Sequence, residues 1–321
     1  MKITVIGCGR WGSLITWYLA EKRGQEVTLY GRETSMHMQR FLAERRNDLL
    51  VLPESVTLST DLGGCIRPET EVVVISVGAQ GLRALMGELQ AYDLGGKTLV
   101  LCMKGIEATT GKRLTEVVGE YIGDTTRVAV WVGPGHVQEF YAGIPNCMVI
   151  DSDDDAVKHT LVEAFSSELI RFYFGTDLIG SEIGAAAKNV VGIAAGMLDG
   201  MGLTTLKGAL MSRGTREIAR LIDAMGGSEL SAYGLCHLGD YEATVFSPYS
   251  HNRAFGEAFI TGKSYRELAE GYATVRALVL LGQVYGVELP ICRAVYHLLY
   301  DGADPKQELE GLFERKVRKE F

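Results

Sequence analysis

The sequence predicts an α/β protein, in which a doubly wound and mostly parallel sheet is followed by an all-helical domain. In the first half of the 321-residue chain, short apolar runs rich in β-branched residues alternate with segments of helical periodicity. After about residue 176 the strand-like runs nearly disappear, and helical patterns follow one another. We therefore expect one domain over residues 1–176 and a helical domain over residues 177–321.

Each predicted element follows from its own pattern. Continuous apolar runs such as EVVVISV are typical of strands that a parallel sheet buries on both faces. Strands are predicted at 2–6, 26–30, 71–77, 97–102, 127–132, 146–150 and 169–174. Besides the helix that follows the first strand, helices are predicted at 33–46, 80–90, 179–201, 207–225, 252–261, 264–270, 274–285 and 290–300.

The composition excludes several classes of protein. The chain is 47% hydrophobic and 22% charged, as in ordinary globular proteins, and its net charge of −8 argues against nucleic-acid binding. Six scattered cysteines without a C-x-x-C pair indicate free thiols and a reducing compartment, the cytoplasm. No signal-peptide pattern precedes the first glycines. The apolar stretch 183–203 contains Lys188 and Asp199 and predicts an interior helix rather than a membrane span.

The most informative motif follows the first predicted strand. Gly7, Gly9 and Gly12 form G-x-G-x-x-G between that strand and a helix that begins with Trp11. In this context the motif is the dinucleotide-binding fingerprint of Rossmann-like domains. The helix start directs free N–H groups toward the pyrophosphate. A glycine-rich turn without a ligand is the alternative.

The end of the second strand bears on the choice of dinucleotide. An NAD-selective site usually has Asp or Glu at this place, to bond the ribose hydroxyl. Here the strand is followed by Gly31 and Arg32, and Glu33 comes one residue later. Arg32 could bond a 2′-phosphate or stack on adenine, so the sequence is compatible with NAD or NADP. A solvent-exposed arginine is the other interpretation.

Two further strand ends carry candidate residues. Lys104 follows the fourth predicted strand, and Gly133-Pro134-Gly135-His136 follows the next. Ligands of such sheets bind outside the carboxyl ends of the strands. Lys104 is therefore placed to meet cofactor or substrate, and the turn exposes backbone N–H groups to an anion. A solvated lysine, a plain β-turn and a structural histidine remain open.

Lys188 is the most telling residue of the second half. It lies in a predicted helix of small apolar residues, GAAAKNVVGIAAG at 184–196. Small side chains let such a helix pack closely, which suggests the nicotinamide pocket. A lysine deprived of water there can exchange a proton with a substrate hydroxyl. A lysine that extends to solvent from the edge of the helix is the alternative.

A third cluster precedes and begins another predicted helix. Asp240 and Thr244 follow a glycine-rich loop. A set of polar residues then surrounds the helix start, where Ser250 is a candidate N-cap. Together they could hold a phosphate, although capping beside a surface arginine would also explain them. This set is Ser250, His251, Asn252 and Arg253.

Taken together, these segments resemble the bacterial-type NAD(P)-dependent glycerol-3-phosphate dehydrogenases along nearly the whole chain. GCGRWG at 7–12 is similar to the family's G-x-G-x-W-G, and KGIE at 104–107 to its K-G-I-E. The helix at 184–196 is close to G-A-L-K-N-V-I-A-I-A-A-G. Shorter matches are GP at 133–134, SRG at 212–214, GD at 239–240, SHNRAFG at 250–256, EG at 270–271 and GVELPI at 286–291.

The resemblance implies interconversion of dihydroxyacetone phosphate and sn-glycerol 3-phosphate, which supplies phospholipid synthesis, with NAD or NADP as cofactor. By position, Lys188 is the general acid/base, helped by Lys104 and Asp240. The implied cofactor residues are Gly7, Gly9, Arg10, Trp11, Gly12, Arg32, Lys104, Val137, His251 and Glu270. The implied substrate residues are Lys104, Gly133, Gly135, Lys188, Asp240, Thr244, Ser250, His251, Asn252 and Arg253.

Three positions depart from the family pattern. His251 stands where the family has the arginine that grips the substrate phosphate, and a histidine lacks the planar, permanently charged fork. The serine of G-P-S-F is absent at Gly135, and the segment 203–207 lacks the family's asparagine. Arg253 could compensate for the lost charge. Otherwise the phosphate is held differently, or the substrate is a relative of glycerol phosphate.

Two alternatives remain open. One is a related hydroxy-acid dehydrogenase similar to ketopantoate reductase, which shares the architecture and a lysine in the helical domain. The other is a cofactor-binding homologue that has lost turnover. We expect a small phosphorylated substrate, no nucleic-acid partner, no membrane span and a homodimer, the last from the apolar helical half.

Overall fold

The computed structural model describes residues 1–316 and separates into two compact units. Unit 1 consists of Met1–Lys104 and Arg113–Glu182, and unit 2 consists of Gly105–Lys112 and the chain from Ile183 onward. The short segment Gly105–Lys112 thus belongs to the second unit, although it lies early in the sequence. The last five residues of the predicted helical domain, 317–321, lie outside the described residues.

Unit 1 is built on one eight-stranded sheet in the order β3-β2-β1-β4-β5-β6-β7-β8. The neighbours pair in parallel except β6 and β7, which are antiparallel. The first five strands have the order 3-2-1-4-5, which is that of dinucleotide-binding sheets. The predicted fold class is confirmed. The strands are β1 Lys2–Ile6, β2 Glu26–Tyr30, β3 Thr57–Ser59, β4 Val72–Ile75, β5 Thr98–Leu101, β6 Arg127–Val132, β7 Asn146–Asp151 and β8 Ile170–Phe174.

The helices of unit 1 cover this sheet. Val72–Ile75 is buried along its whole length, as its unbroken apolar sequence predicts. Strand β3 was not predicted, because its three residues are too few to show a pattern. The helices are α1 Arg10–Trp17, α2 Met36–Glu44, α3 Leu62–Cys65, α4 Leu82–Leu89, α5 Leu114–Gly119, α6 Val137–Tyr141 and α7 Asp155–Phe165.

Between Phe174 and residue 316 the described chain contains no strand, as predicted. The predicted helix at 264–270 is wrong, because residues 263–269 form an irregular segment between α10 and α11. Its Leu268 is 66% exposed, so no apolar face holds the segment in a helix. The remaining helices are α8 Leu178–Gly200, α9 Lys207–Ala224, α10 His251–Thr261, α11 Glu270–Val284, α12 Pro290–Tyr296 and α13 Pro305–Phe313.

Helix α8 is the centre of the helical part. By length and composition it could cross a membrane, but 89% of its most apolar window is buried within the protein. This agrees with the prediction of an interior helix. Glycines on both helices allow α8 and α10 to approach each other closely at the level of the backbone. A Cβ on Gly196 would lie 1.9 Å from the Arg253 carbonyl oxygen, and one on Gly256 would lie 2.1 Å from that of Ile193. Gly196 and Gly256 therefore serve this helix contact.

Candidate functional site

Each glycine of the motif after β1 has a different structural role. Gly7 has φ +112°, and a Cβ on it would lie 2.1 Å from the Ser76 carbonyl oxygen. A Cβ on Gly12 would lie 1.9 Å from the Gly7 carbonyl oxygen, so α1 packs directly against the turn. Around Gly9 no atom lies within 4 Å of the added Cβ. Gly9 thus leaves open space at the start of α1, as a cradle for a pyrophosphate requires.

Trp11 and Lys104 lie beside this turn. The Lys104 Nζ is 5.9 Å from the centre of the Trp11 ring, within the range of a cation–π interaction. It also donates a 2.5 Å hydrogen bond to the Gly133 carbonyl oxygen. The Trp11 indole N–H is buried and has no hydrogen-bond partner among residues 1–316. A buried donor of this kind suits a ligand with an acceptor.

The turn after β6 adopts a shape that requires glycine. Gly133 and Gly135 have φ of +132° and +139°, and a Cβ on Gly135 would lie 2.2 Å from the Phe140 ring. His136 occupies the N-cap position of α6, and Val137 begins that helix and is buried in the core. The turn can thus offer a ligand backbone groups, whereas the Val137 side chain serves packing.

Arg32 follows β2 at the surface. Its Nη2 lies 3.2 Å from the Glu88 Oε1, in a pair whose side chains are 64% and 48% exposed. Exposed pairs of this kind contribute little to stability. The guanidinium can therefore exchange Glu88 for a phosphate at small cost.

In unit 2, Lys188 forms a buried polar cluster with two residues of the short helical turns Leu238–Asp240 and Glu242–Phe246, which precede α10. The Lys188 Nζ donates to the Thr244 Oγ1 over 2.8 Å and lies 3.0 Å from the Asp240 Oδ2. The Thr244 hydroxyl donates to the Asp240 carbonyl oxygen over 2.7 Å. Lys188 is 8% exposed and Asp240 is fully buried. The carboxylate stabilises the protonated amine, which opposes the loss of charge that burial favours.

The residue after Lys188 takes part in a second polar contact. The Asn252 Nδ2 donates to the Asn189 Oδ1 over 3.0 Å, and the Asn252 Oδ1 accepts from the Gly271 backbone N–H over 2.9 Å. These bonds join α8, α10 and the start of α11, where Glu270 is the first residue. The sequence analysis assigned no role to Asn189. An amide directly after the lysine of an otherwise apolar helix was the available signal.

The start of α10 confirms Ser250 as the N-cap, since its Oγ accepts from the Arg253 backbone N–H over 3.3 Å. The Arg253 guanidinium lies 2.7 Å from the Asp199 Oδ2, an atom that the Lys207 Nζ contacts at the same distance. Desolvation opposes ionisation of Asp199, but the bonds from these two cations outweigh it and lower its pKa. Arg253 is thus held by a carboxylate, which competes with its predicted role toward a phosphate.

His251 is the first residue of α10, and its Nδ1 lies 2.6 Å from the Tyr265 hydroxyl oxygen. Tyr265 belongs to the irregular segment for which a helix was predicted. No sequence pattern pointed to this contact, because the two residues meet only through the fold.

A buried histidine lies beside the Lys188 cluster and was also missed. His237 is fully buried, its Nδ1 is 2.9 Å from the Gly184 carbonyl oxygen, and the Tyr241 hydroxyl is 2.7 Å from its Nε2. Desolvation lowers the pKa of His237 to about 4. The imidazole is therefore neutral near pH 7, with Nδ1–H donating to Gly184 and Nε2 accepting from Tyr241.

A cavity of about 480 Å³ lies elsewhere in unit 2, between α8, α9, α12 and α13. Its walls include Met197, Leu198 and Ile291, and none of the predicted site residues lines it. The cavity is therefore separate from the Lys188 cluster.

Comparison with known proteins agrees with this arrangement. Residues 2–158 match the family profile described as NAD-dependent glycerol-3-phosphate dehydrogenase N-terminus, and residues 177–310 match the corresponding C-terminus. Glycerol-3-phosphate dehydrogenase (NAD(P)+) of Aromatoleum aromaticum is 36% identical over 333 residues, which cover 100% of both chains.

Solved structures show the same similarity. The crystal structure of glycerol-3-phosphate dehydrogenase from Coxiella burnetii has a TM-score of 0.91 and 28% identity, covering 98% of this chain and 99% of that one. A ketopantoate reductase from Ralstonia eutropha reaches a TM-score of 0.63 at 14% identity, covering 96% and 100%, and shares the fold alone. Since both halves match and a relative aligns over its full length, the chain belongs to the NAD-dependent glycerol-3-phosphate dehydrogenase family.

Proposed function

We propose that this protein is an NAD(P)-dependent glycerol-3-phosphate dehydrogenase, which interconverts dihydroxyacetone phosphate and sn-glycerol 3-phosphate. The observation that carries the proposal is the buried amine of Lys188, which contacts Asp240 and Thr244 in a chain of this family. An acid of this kind, excluded from bulk water, suits proton transfer to a carbonyl oxygen. The dinucleotide domain spans residues 1–176, and the substrate domain spans 177–321.

The residues of the β1–α1 turn fit a dinucleotide. The open space at Gly9 and the uncapped start of α1 accommodate the pyrophosphate, while Gly7 and Gly12 shape the turn. The buried N–H of Trp11 supplies a further donor. When bound, the nicotinamide supplies the hydride in the reductive direction. Further contacts are assigned to Arg10, Arg32, Lys104, the backbone at Val137, His251 and Glu270.

Lys188 acts as the general acid when the ketone is reduced, and as the base in the reverse direction. An ammonium has three N–H donors. The contacts to Asp240 and Thr244 hold the Lys188 Nζ in one position, as a proton donor to the substrate oxygen requires. Lys104, held by Gly133, adds positive charge where negative charge develops on that oxygen.

By the family resemblance, residues at the start of α10 and residues in the turn after β6 are each assigned to the rest of the substrate. The backbone at Gly133 and Gly135 offers donors to the substrate, and Thr244 and Asn252 contact its hydroxyl groups. The phosphate is bound at the N-terminus of α10, where the helix dipole favours an anion. This binding involves Ser250 and His251, with Arg253 at its edge.

The cellular setting is inferred from composition. The net charge of −8 and the free thiols of the six cysteines fit a cytoplasmic enzyme that does not bind nucleic acid. We also expect a homodimer and a use of the product in phospholipid synthesis.

The decisive test is an assay of oxidation of NADH and of NADPH with the purified protein. Dihydroxyacetone phosphate is compared with ketopantoate and with small 2-keto acids at equal concentration. We expect kcat/KM for dihydroxyacetone phosphate to exceed the others by at least about a hundredfold, because a buried site rejects ligands that leave its polar groups unpaired. A preference for ketopantoate would replace the proposed substrate. A protein that binds the dinucleotide but oxidises it with none of these ketones would be a cofactor-binding homologue.

A further inference from the structure

The loop between α10 and α11 carries a tyrosine that is fixed against the start of α10. The Tyr265 hydroxyl lies 2.6 Å from the His251 Nδ1, and the two rings meet edge to face with centroids 6.3 Å apart. The Tyr265 ring also packs on Phe255, at 6.0 Å and 65°. Phe255 lies one helical turn beyond His251 and packs in turn on Tyr272. Tyr265 is therefore held by aromatic neighbours on one side and by an imidazole on the other.

The hydrogen bond determines which nitrogen of His251 carries a proton. When the Tyr265 hydroxyl donates to Nδ1, the neutral imidazole has its hydrogen on Nε2. When the ring is protonated, both nitrogens carry a hydrogen and Nδ1 donates to the Tyr265 oxygen. In both states Nε2 is an N–H donor. Without the hydroxyl, the neutral ring could carry its hydrogen on Nδ1, and Nε2 would then be a hydrogen-bond acceptor.

His251 is also in the right place to meet an anion. It is the first residue of α10, which is 11 residues long, and Ser250 caps the same turn. The next residue, Asn252, bonds to Asn189, which directly follows Lys188. The start of α10 is thus tied to the part of α8 that carries the proposed acid.

We propose that Tyr265 is a positioning residue, which holds His251 as an N–H donor to the phosphate of the substrate. The Tyr265–His251 pair would then take the place that the arginine occupies in the enzymes that this sequence resembles. This inference rests on the proposed function for the identity of the substrate, but the geometry of the pair can be tested without turnover.

The kinetic test compares Tyr265→Phe with Tyr285→Phe. Tyr285 is 43% exposed at the end of α11 and serves as the matched control. We expect Tyr265→Phe to raise KM for dihydroxyacetone phosphate about fivefold, the effect of one lost hydrogen bond, with kcat changed less than about twofold. In a His251→Arg background the same substitution should change KM less than about twofold, because arginine needs no tautomer control.

A spectroscopic test reports on the pair itself. In protein labelled with ¹⁵N at histidine, the wild-type His251 should show the Nε2–H tautomer, and Tyr265→Phe should show a mixture of tautomers. Addition of inorganic phosphate should shift the Nε2 resonance of the wild type more than that of the variant.

The outcomes separate the two proposals. An unchanged KM and an unchanged tautomer in Tyr265→Phe would overturn the role of Tyr265. An equal rise of KM in the His251→Arg background would make Tyr265 a general structural residue and would also overturn it. If the wild type does not reduce dihydroxyacetone phosphate, the proposed function fails. In that case the NMR result with inorganic phosphate still decides whether the pair presents a donor to an anion.

Discussion

The glycine turn after β1 and the Lys188 cluster on α8 are built in opposite ways. The turn is formed by backbone atoms and has no room for side chains at two of its glycines. A Cβ on Gly7 or Gly12 would lie within 2.1 Å of a carbonyl oxygen. In the cluster, side chains from α8 and from the short helical turns before α10 meet over 2.8–3.0 Å in a buried space. The turn joins residues adjacent in sequence, whereas Lys188 and Thr244 are 56 positions apart. Backbone sites can thus be read from local sequence, whereas side-chain sites require the fold.

The largest effect is expected when the charge of Lys188 is removed from the cluster. Lys188→Met should lower kcat by about a thousandfold or more, because the acid is lost. Asp240 is then left buried without its cation, so a stability loss of about 3 kcal/mol is also expected. Stopped-flow turnover measures the loss of kcat. A fluorescence titration with NADH measures cofactor affinity, which should change less than about threefold.

Lys263→Met serves as the control for this experiment, because Lys263 lies at the surface just after α10. Near-normal turnover of Lys188→Met would remove Lys188 from the mechanism.

A matched pair of substitutions tests the backbone site. Gly12→Ala should destabilise the fold by about 3 kcal/mol, because its Cβ would overlap the Gly7 carbonyl oxygen. Gly9→Ala meets no protein atom and should change stability by less than about 0.5 kcal/mol. It should nevertheless weaken dinucleotide binding about tenfold, because the methyl group fills the space for the pyrophosphate. Urea unfolding and cofactor titration check the two parts. Normal dinucleotide affinity in Gly9→Ala would place the cofactor elsewhere.

Acidification should lower the stability of the folded protein through His237, which contacts α8 at the Gly184 carbonyl oxygen. Its pKa is about 4 in the folded protein, against 6.5 for an ordinary histidine. Between these pH values the unfolded chain binds more protons, so stability falls as pH is lowered through this window. The contribution of His237 is about 2–3 kcal/mol by pH 4.

The measurement compares unfolding free energies of the wild type and His237→Gln from pH 7 to pH 5. Burial raises the pKa of Glu182 and Glu217, and these carboxyls act in the opposite direction in both proteins. The difference between the two slopes therefore isolates His237. Parallel slopes would show that His237 takes up its proton in the folded protein as readily as in the unfolded one.

A smaller effect is expected at Arg32, where the local sequence left the choice of dinucleotide open. If Arg32 binds the 2′-phosphate, Arg32→Ala should raise KM for NADPH about fivefold and leave KM for NADH within about twofold. Loss of the exposed contact to Glu88 should change stability by less than about 1 kcal/mol. Steady-state kinetics with both dinucleotides decide between the two roles. An equal change for NADH and NADPH would favour stacking on adenine.

The elements that could be predicted are those whose structure depends on neighbouring residues. The strand at 72–75 was anticipated because an apolar β-branched run suits a strand buried on both faces. The helix at 178–200 was anticipated for its long apolar pattern, although its small residues were linked to the nicotinamide pocket. In the structure Gly196 brings α10 close to α8, and the link to the nicotinamide pocket stays a prediction.

The failures lie where distant residues decide the local structure. The segment 263–269 has the composition of a helix, yet Tyr265 bonds to His251 and packs on Phe255. No periodicity could show that the charge of Arg253 is held by Asp199, or that His237 is buried against Gly184. These contacts depend on which helices lie next to each other.

The sequence by itself determined seven of the eight strands, the glycine turn and the presence of a helical second half, because hydrophobic period and backbone freedom act over a few residues. It also marked Lys188, Asp240 and Thr244 separately. Only the tertiary structure decided that Lys188 is paired with Asp240, that Arg253 is held by Asp199 and that His251 has Tyr265 as its partner. The physical reason is that a buried charge or hydrogen bond is defined by its surroundings, and the surroundings are assembled from distant parts of the chain.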